Sequence, residues 1–137
     1  MITIRDLKRA LDENNIKYQD GENNTIVFTN YSSKTSANYI FVITIEDGYA
    51  DVGLNLNRMD RSNLNERVKE TINELNQKYR FFKFYYSEVS YNQFDIRLSA
   101  TAIVKENNSV DEVLELIWRG LDVADTVYPD IQRAIWR

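Results

Sequence analysis

Acidic side chains gather at three points of this 137-residue chain: Asp20 with Glu22, Glu46 with Asp47, and Asp111 with Glu112 and Glu115. Carboxylates so grouped are the material of acid–base catalysis and of oxygen-ligand cation sites. Both uses need convergence, and a general acid needs burial as well. The first two groups fall in turns, and "DGENNT" lacks both the spacing of a calcium loop and its closing bidentate glutamate. Asp111, Glu112 and Glu115 fall at the start of a helix, where negative charge is favoured without any chemistry. Arg58, Arg61, Arg67 and Lys69 bias the start of another helix towards positive charge, but Asp60, Glu66 and Glu70 interleave with them as on a solvated face. The chain has no cysteine and no histidine, which removes thiol nucleophiles, imidazole bases, disulfides and zinc sites of nitrogen and sulfur. With four glycines, none in a GxGxxG or GxxxxGK pattern, there is no phosphate loop. No catalytic residue, metal ligand or cofactor is assigned. A carboxylate-dependent hydrolase or small-ligand domain would draw on Asp95, Glu88 or Tyr86 in a pocket between sheet and helices, with a carboxyl pKa raised towards neutrality.

A second group of residues points to binding. "INELNQKYRFFKFYY", residues 72–86, passes from helical periodicity into a dense aromatic run. Sheet aromatics can stack nucleic-acid bases, but the RNA-binding strand pattern requires glycines that "YRFFKFYY" lacks. The net charge of −4 also gives no attraction to phosphate backbones or anionic membranes, so neither is an expected partner. Alternation places Phe82, Phe84 and Tyr86 towards the helices and Phe81, Lys83 and Tyr85 on the opposite face. Aromatic residues beside polar ones on a wet face form a contact surface. Phe81 and Tyr85, with Trp118 and Trp136 from the last helical region, are therefore the candidate partner-binding residues, the partner being another protein or a second copy in a homodimer.

The elements that must position these residues follow from local patterns. Thr3 with Asp6 caps a helix over residues 3–14, carrying Ile4, Leu7 and Leu11 at helical spacing. Residues 16–30 read as a short hairpin around "DGENN", and "YSSKTSAN", residues 31–38, as a polar loop. In "YIFVITIEDGYADVGLNL", Asp47-Gly48 suits a type I′ turn, which sets Ile45 opposite Ala50, Ile43 opposite Val52, Phe41 opposite Leu54 and Tyr39 opposite Leu56. All eight then share one face. Gly53, alone within that strand, marks a bulge or a close approach over the sheet. Ser62 or Asn63 caps a second helix over 63–78, with Leu64, Val68, Ile72 and Leu75 as its stripe. "SEVSYN" turns the chain. In the next strand Phe94, Ile96, Leu98, Ala100 and Ala102 face the core, while Asp95, Arg97, Ser99 and Thr101 face water. Ser109 with Glu112 caps a third helix that Pro129 kinks or ends.

The chain length suits one domain over residues 1–137, and a composition of 43% hydrophobic and 28% charged residues belongs to a folded globular protein. No stretch approaches the roughly 18 apolar residues of a membrane span. The charged N-terminus, with Arg5, Asp6, Lys8 and Arg9, has no signal core, so a cytoplasmic protein is expected. Helices and strand groups in separate runs predict an α+β fold, an antiparallel sheet of five to six strands covered by helices in the order α-β(β)-β-β-α-β-β-α.

That order, with "INELNQKYRFFKFYY" followed by "FDIRLSATAIV", resembles the type III secretion chaperone-like fold and within it the YbjN family of sensory-transduction regulators. The family pattern of Asn-x-x-Asn at a helix end and Arg-Phe opening a strand matches Asn73, Asn76, Arg80 and Phe81. The match is topological over most of the chain and covers about fifteen residues as a motif; a short strand near 17–20 is additional. The resemblance implies helices on one side of a bent sheet, dimerisation, no catalytic residues, and a chaperone-like grip on segments of a partner. We carry over the fold and the binding role, but not export. The functional expectation is a non-enzymatic, chaperone-like or regulatory protein-binding module. The alternatives are the hydrolase or small-ligand domain above and a phage-type or antidote protein that blocks another protein.

Overall fold

A computed structural model of the chain describes residues 2–105 and 110–136. Helix α1 (Ile4–Glu13) starts at the expected capping box. The Thr3 hydroxyl accepts from the Asp6 N–H, and the Asp6 carboxylate accepts from the Thr3 N–H at 2.9 Å. The bond from the Thr3 backbone is the main reason that the Asp6 carboxyl lies below its ordinary pKa.

Six strands follow, interrupted by one helix: β1 (Gln19–Asp20), β2 (Thr25–Ser32), β3 (Ala37–Glu46), β4 (Tyr49–Asp60), helix α2 (Glu66–Lys78), β5 (Lys83–Ser90) and β6 (Gln93–Ile103), then helix α3 (Val110–Trp136). All strand pairs are antiparallel, in the order β1-β2-β3-β4-β6-β5. The fold is thus α+β with the expected element order.

Asp47 and Gly48 both have positive φ, 45° and 86°, as a type I′ turn requires. Ile45 pairs with Ala50, Ile43 with Val52 and Phe41 with Leu54. The β3–β4 pairing ends at Ile40–Asn55, one step short of the expected Tyr39–Leu56 pair, because β4 carries a bulge between Asn55 and Asn57. Tyr39 and Leu56 are buried all the same. Gly53 is not the bulge. It lies in unbroken register with Val42 on one side and Ser99 on the other.

Several boundaries differ from the sequence reading. The loop expected over 31–38 shrinks to 33–36, since β2 and β3 stay paired out to Ser32–Ala37. Helix α2 begins later, capped by Asn65, whose side chain accepts from the Val68 N–H at 3.0 Å; Arg61–Asn63 form a turn of 3-10 helix instead. Strand β5 opens at Lys83 and not at Arg80–Phe81, and it runs through most of "SEVSYN" to Ser90. Helix α3 continues through Pro129 to Trp136. A proline inside a helix costs about 3 kcal/mol, but Val127 on one side of it and Ile131, Ala134 and Ile135 on the other are all buried. One turn earlier Asp125 is tied to the sheet, accepting from Ser32 Oγ at 2.6 Å and from Tyr39 Oη at 2.9 Å. Burial of both halves outweighs the lost hydrogen bond. The proposed Ser109 cap lies outside the described residues.

All three helices cover the same face of the sheet. Their buried side chains, such as Leu11, Ile72 and Ile117, join Phe41, Leu54, Phe84 and Leu98 in one hydrophobic core. Burial pushes the Tyr39 hydroxyl pKa up, with Asp125 adding to the shift. Asn76 fixes the outer edge of the sheet to α2: its side chain accepts from the Phe84 N–H at 2.7 Å and donates to the Phe84 carbonyl at 2.8 Å. Both backbone groups would otherwise lie open on an edge strand. Asn76→Ala is expected to lower stability by about 1–3 kcal/mol, read as a lower urea midpoint at unchanged slope. An unchanged midpoint would mean that water replaces the clamp.

Candidate functional site

The opposite face of the sheet carries no helix among the described residues, and strand register assembles it in rows. One row runs Thr25–Thr44–Asp51–Thr101, the next Val27–Val42–Gly53–Ser99–Lys83, and the third Thr29–Ile40–Asn55–Arg97–Tyr85. In the first row Thr25 and Thr44 hydroxyls are bonded at 2.8 Å, and Thr101 Oγ1 donates to Asp51 at 2.5 Å. In the middle row the two smallest side chains, Gly53 and Ser99, sit side by side. A hollow of about 310 Å³ opens over them, bounded by Val42, Asp51, Tyr85, Arg97 and Thr101. Its size is at the lower end of the range for small-molecule sites.

One end of the hollow rests on a charged cluster. Asp95 has no exposed surface, although alternation along β6 places it on the face expected to be wet. Arg58 covers it bidentately, Nε to Oδ1 at 2.9 Å and Nη2 to Oδ2 at 3.2 Å. Asn55 donates to Oδ2 at 2.9 Å, and Arg97 reaches the same oxygen at 3.4 Å while its Nε donates to Asn55 Oδ1 at 3.2 Å. Burial by itself would raise the Asp95 pKa. The hydrogen bonds from Arg58 and Asn55 and the charges of Arg58 and Arg97 overcome that and hold it below its ordinary value. The bulge makes the cluster possible. One extra residue after Asn55 shifts the alternation of β4, so that Arg58 and not Asn57 stands opposite Asp95.

The hydrolase residues do not converge. Asp95 is held ionised on the helix-free face, contrary to the expected raised pKa. Glu88 pairs with Arg61 at 3.3 Å, and Tyr86 stands at the sheet edge. Tyr86 was expected to lie under the helices with Phe82 and Phe84, yet it is 42% exposed. Strand β5 is the outermost strand, pinned to α2 at Phe84, so Tyr86 falls at the rim of the core. Of the acidic groups in the sequence clusters, Asp20 bridges Lys8 at 2.6 Å and Glu115 bridges Arg119 at 2.9 Å. Among the described residues no three acidic side chains gather into a metal site, and no helix is long and apolar enough to cross a membrane.

The four residues chosen for partner contact are dispersed. Tyr85 lies on the helix-free face, half-buried beside Arg97, with Lys83 Nζ 5.9 Å from its ring centre. Phe81 is exposed in the bend before β5, its ring edge-on to buried Phe82 at 5.6 Å. Trp118 borders a separate groove with Ile16 and Phe28, and Trp136 is exposed near the end of α3, bonded to Gln132. Sequence reasoning passed over the apolar side chains that join Tyr85 on the open face: Ile40, the paired Tyr49 and Ile103, and Tyr31. Single exposed residues on separate strands gave no local signal, and only the register of the finished sheet aligns them.

The family model described as "Putative bacterial sensory transduction regulator" matches residues 3–133. The crystal structure of YbjN from E. coli, described as "a putative transcription regulator", is similar in fold with a TM-score of 0.73, covering 96% of this chain and 93% of that one at 9% identity. Comparison with curated proteins returns no match. With nearly its whole length matched by the family model and its fold shared with that crystal structure, the chain belongs to the YbjN family.

Proposed function

We propose that this protein is a regulatory module that works by non-covalent binding, taking a partner protein or a second copy of itself on the helix-free face of its sheet. The observation that supports this reading is the placement of apolar surface. Every helix packs on the other side, while this face presents Tyr31, Ile40, Tyr49, Tyr85 and Ile103 around a polar centre. Ile103 is 72% exposed, and its cross-strand partner Tyr49 is exposed with it. Large apolar side chains left exposed together on one face mark an interaction surface. Tyr85 is the candidate contact that belongs to it. The family description of sensory-transduction regulation fits a binding role.

The test places charge on that face. Ile40→Lys with Ile103→Lys, on two separate strands, is expected to abolish concentration-dependent self-association in sedimentation velocity, or to remove one stoichiometric partner from affinity capture, with far-UV dichroism intact. Trp136→Ala, far from the face, should leave either association in place. Association that survives the double lysine variant would rule the face out.

A further inference from the structure

Gly53 occupies a position where nothing in the backbone calls for glycine. Its φ is not in the left-handed region, where Gly48 is the one glycine. It is paired in regular register on both sides. A Cβ built there would meet only the Val42 carbonyl oxygen, at an ordinary 3.5 Å. Glycine inside a strand is nevertheless destabilising by roughly 0.5–1 kcal/mol against alanine. What it provides is space, because with Ser99 beside it the centre of the face stays low and the 310 Å³ hollow exists. Strand glycines of this kind mark places where a ligand or another chain comes close.

We propose that the hollow over Gly53 binds a small monocarboxylate with an apolar body, its carboxylate held by Arg97. The charge at this end favours an anion. Arg58 and Arg97 stand against the single carboxylate of Asp95, and Arg58 already takes both oxygens of that carboxylate. Arg97 is the less engaged cation, 3.4 Å from Asp95, and its side chain is 36% exposed. Its orientation is set by buried groups, since Asn55 and Asp95 hold Nε and Nη2. Among the described residues, Nη1 takes no part in this network. A guanidinium fixed in this way is pre-organised for a carboxylate.

The rest of the hollow sets the other features of the ligand. Val42 and the Tyr85 ring give apolar walls, and Ser99 offers a hydroxyl at the floor. Asp51 stands at the far end, four residues from Asn55 along β4 and so about 13 Å away. Its charge repels a second anionic group there. The hollow lies on the same face as the proposed partner contact and shares Tyr85 with it, but a small molecule seats below the surrounding side chains and its binding is read without any partner.

The experiment is a titration of the isotope-labelled protein with phenylacetate and, separately, with its neutral isostere phenylacetamide, followed by amide shifts in nitrogen–proton correlation spectra. Saturable shifts confined to Val42, Gly53, Arg97 and Ser99 are expected for the acid, with binding of the amide at least about tenfold weaker. Gly53→Val should fill the hollow and abolish the shifts while raising the melting temperature. Arg97→Gln should weaken the acid to the level of the amide, and Trp136→Ala should change neither. No saturable shift at these amides by about 10 mM phenylacetate, or equal binding of acid and amide, would overturn the assignment. So would full binding retained by Gly53→Val, whose correct folding its own spectrum reports.

Discussion

Asp95→Ala should destabilise the protein by about 3–5 kcal/mol, the cost of removing one partner from a buried ion pair. The variant strands Asn55 and two arginines around a vacated carboxylate site, and the repulsion between Arg58 and Arg97 is no longer offset. For a chain of this length the loss corresponds to a fall in melting temperature of roughly 10 °C or more. The partial exposure of both arginines lets water solvate them and places the effect towards the lower end of the range. The carboxyl also predicts the acid limb of stability. Its folded pKa is depressed, so its contribution is fully present above the unfolded value of about 3.9. That contribution is lost as pH falls from there through the folded value. Melting curves between about pH 5 and pH 2 should therefore fall less steeply for Asp95→Asn than for the parent chain. Parallel curves would show that Asp95 titrates alike in the folded and unfolded chains.

Phe41→Ala should cost a similar amount, about 3–5 kcal/mol, for a different reason. Phe41 has no exposed surface, and its ring stacks on that of its cross-strand neighbour Phe28, centroids 4.9 Å apart and planes 9° from parallel. Truncation removes that stack and leaves a cavity between β2, β3 and the helices that the paired backbone cannot close. Against a total stability of about 5–15 kcal/mol for a domain, this is a large share. The second ring then has less to lose. The double variant Phe28→Ala with Phe41→Ala should be less unstable than the sum of the singles by about 0.5–1.5 kcal/mol in urea unfolding. Strict additivity would mean that the two rings contribute only through their separate burial.

Much of the fold is legible wherever local chemistry and burial agree. Thr3 and Asp6 announce the first helix, and Asp47-Gly48 fixes a register that puts Ile43, Phe41 and their partners on one face. The strict alternation from Phe94 identifies β6. Reading fails where a distant segment changes the outcome. Pro129 reads as a kink or an end of the helix, because the burial on both sides of it and the tie from Asp125 to β2 and β3 are invisible locally. The bulge did leave a trace: the core positions Leu54 and Leu56 are followed by Met59, a step of three where alternation demands two.

The candidate site was much less legible than the fold. Tyr85 is placed on the open face by period two alone, and the wet side of β6 correctly includes Arg97, Ser99 and Thr101. Asp95 reads locally as a charge on the wet face or as a hydrolase carboxyl with a raised pKa. It is buried only because Arg58, 37 positions earlier, is brought opposite it by the bulge, and Arg58 itself reads as part of a helix surface.

By itself the sequence determined the element order, the α+β class and the face that β3, β4 and β6 turn to the core, because capping, turn geometry and hydrophobic period act between near neighbours. It also excluded thiol, imidazole and phosphate-loop chemistry by composition. Only the tertiary structure decided that Gly53 lies beside Ser99 under a hollow and that Asp95 shares two arginines. The same holds for the apolar side chains of separate strands, which meet on a face without helices. Those relations depend on cross-strand register between segments distant along the chain, and register is set by the packing of the whole sheet against its helices.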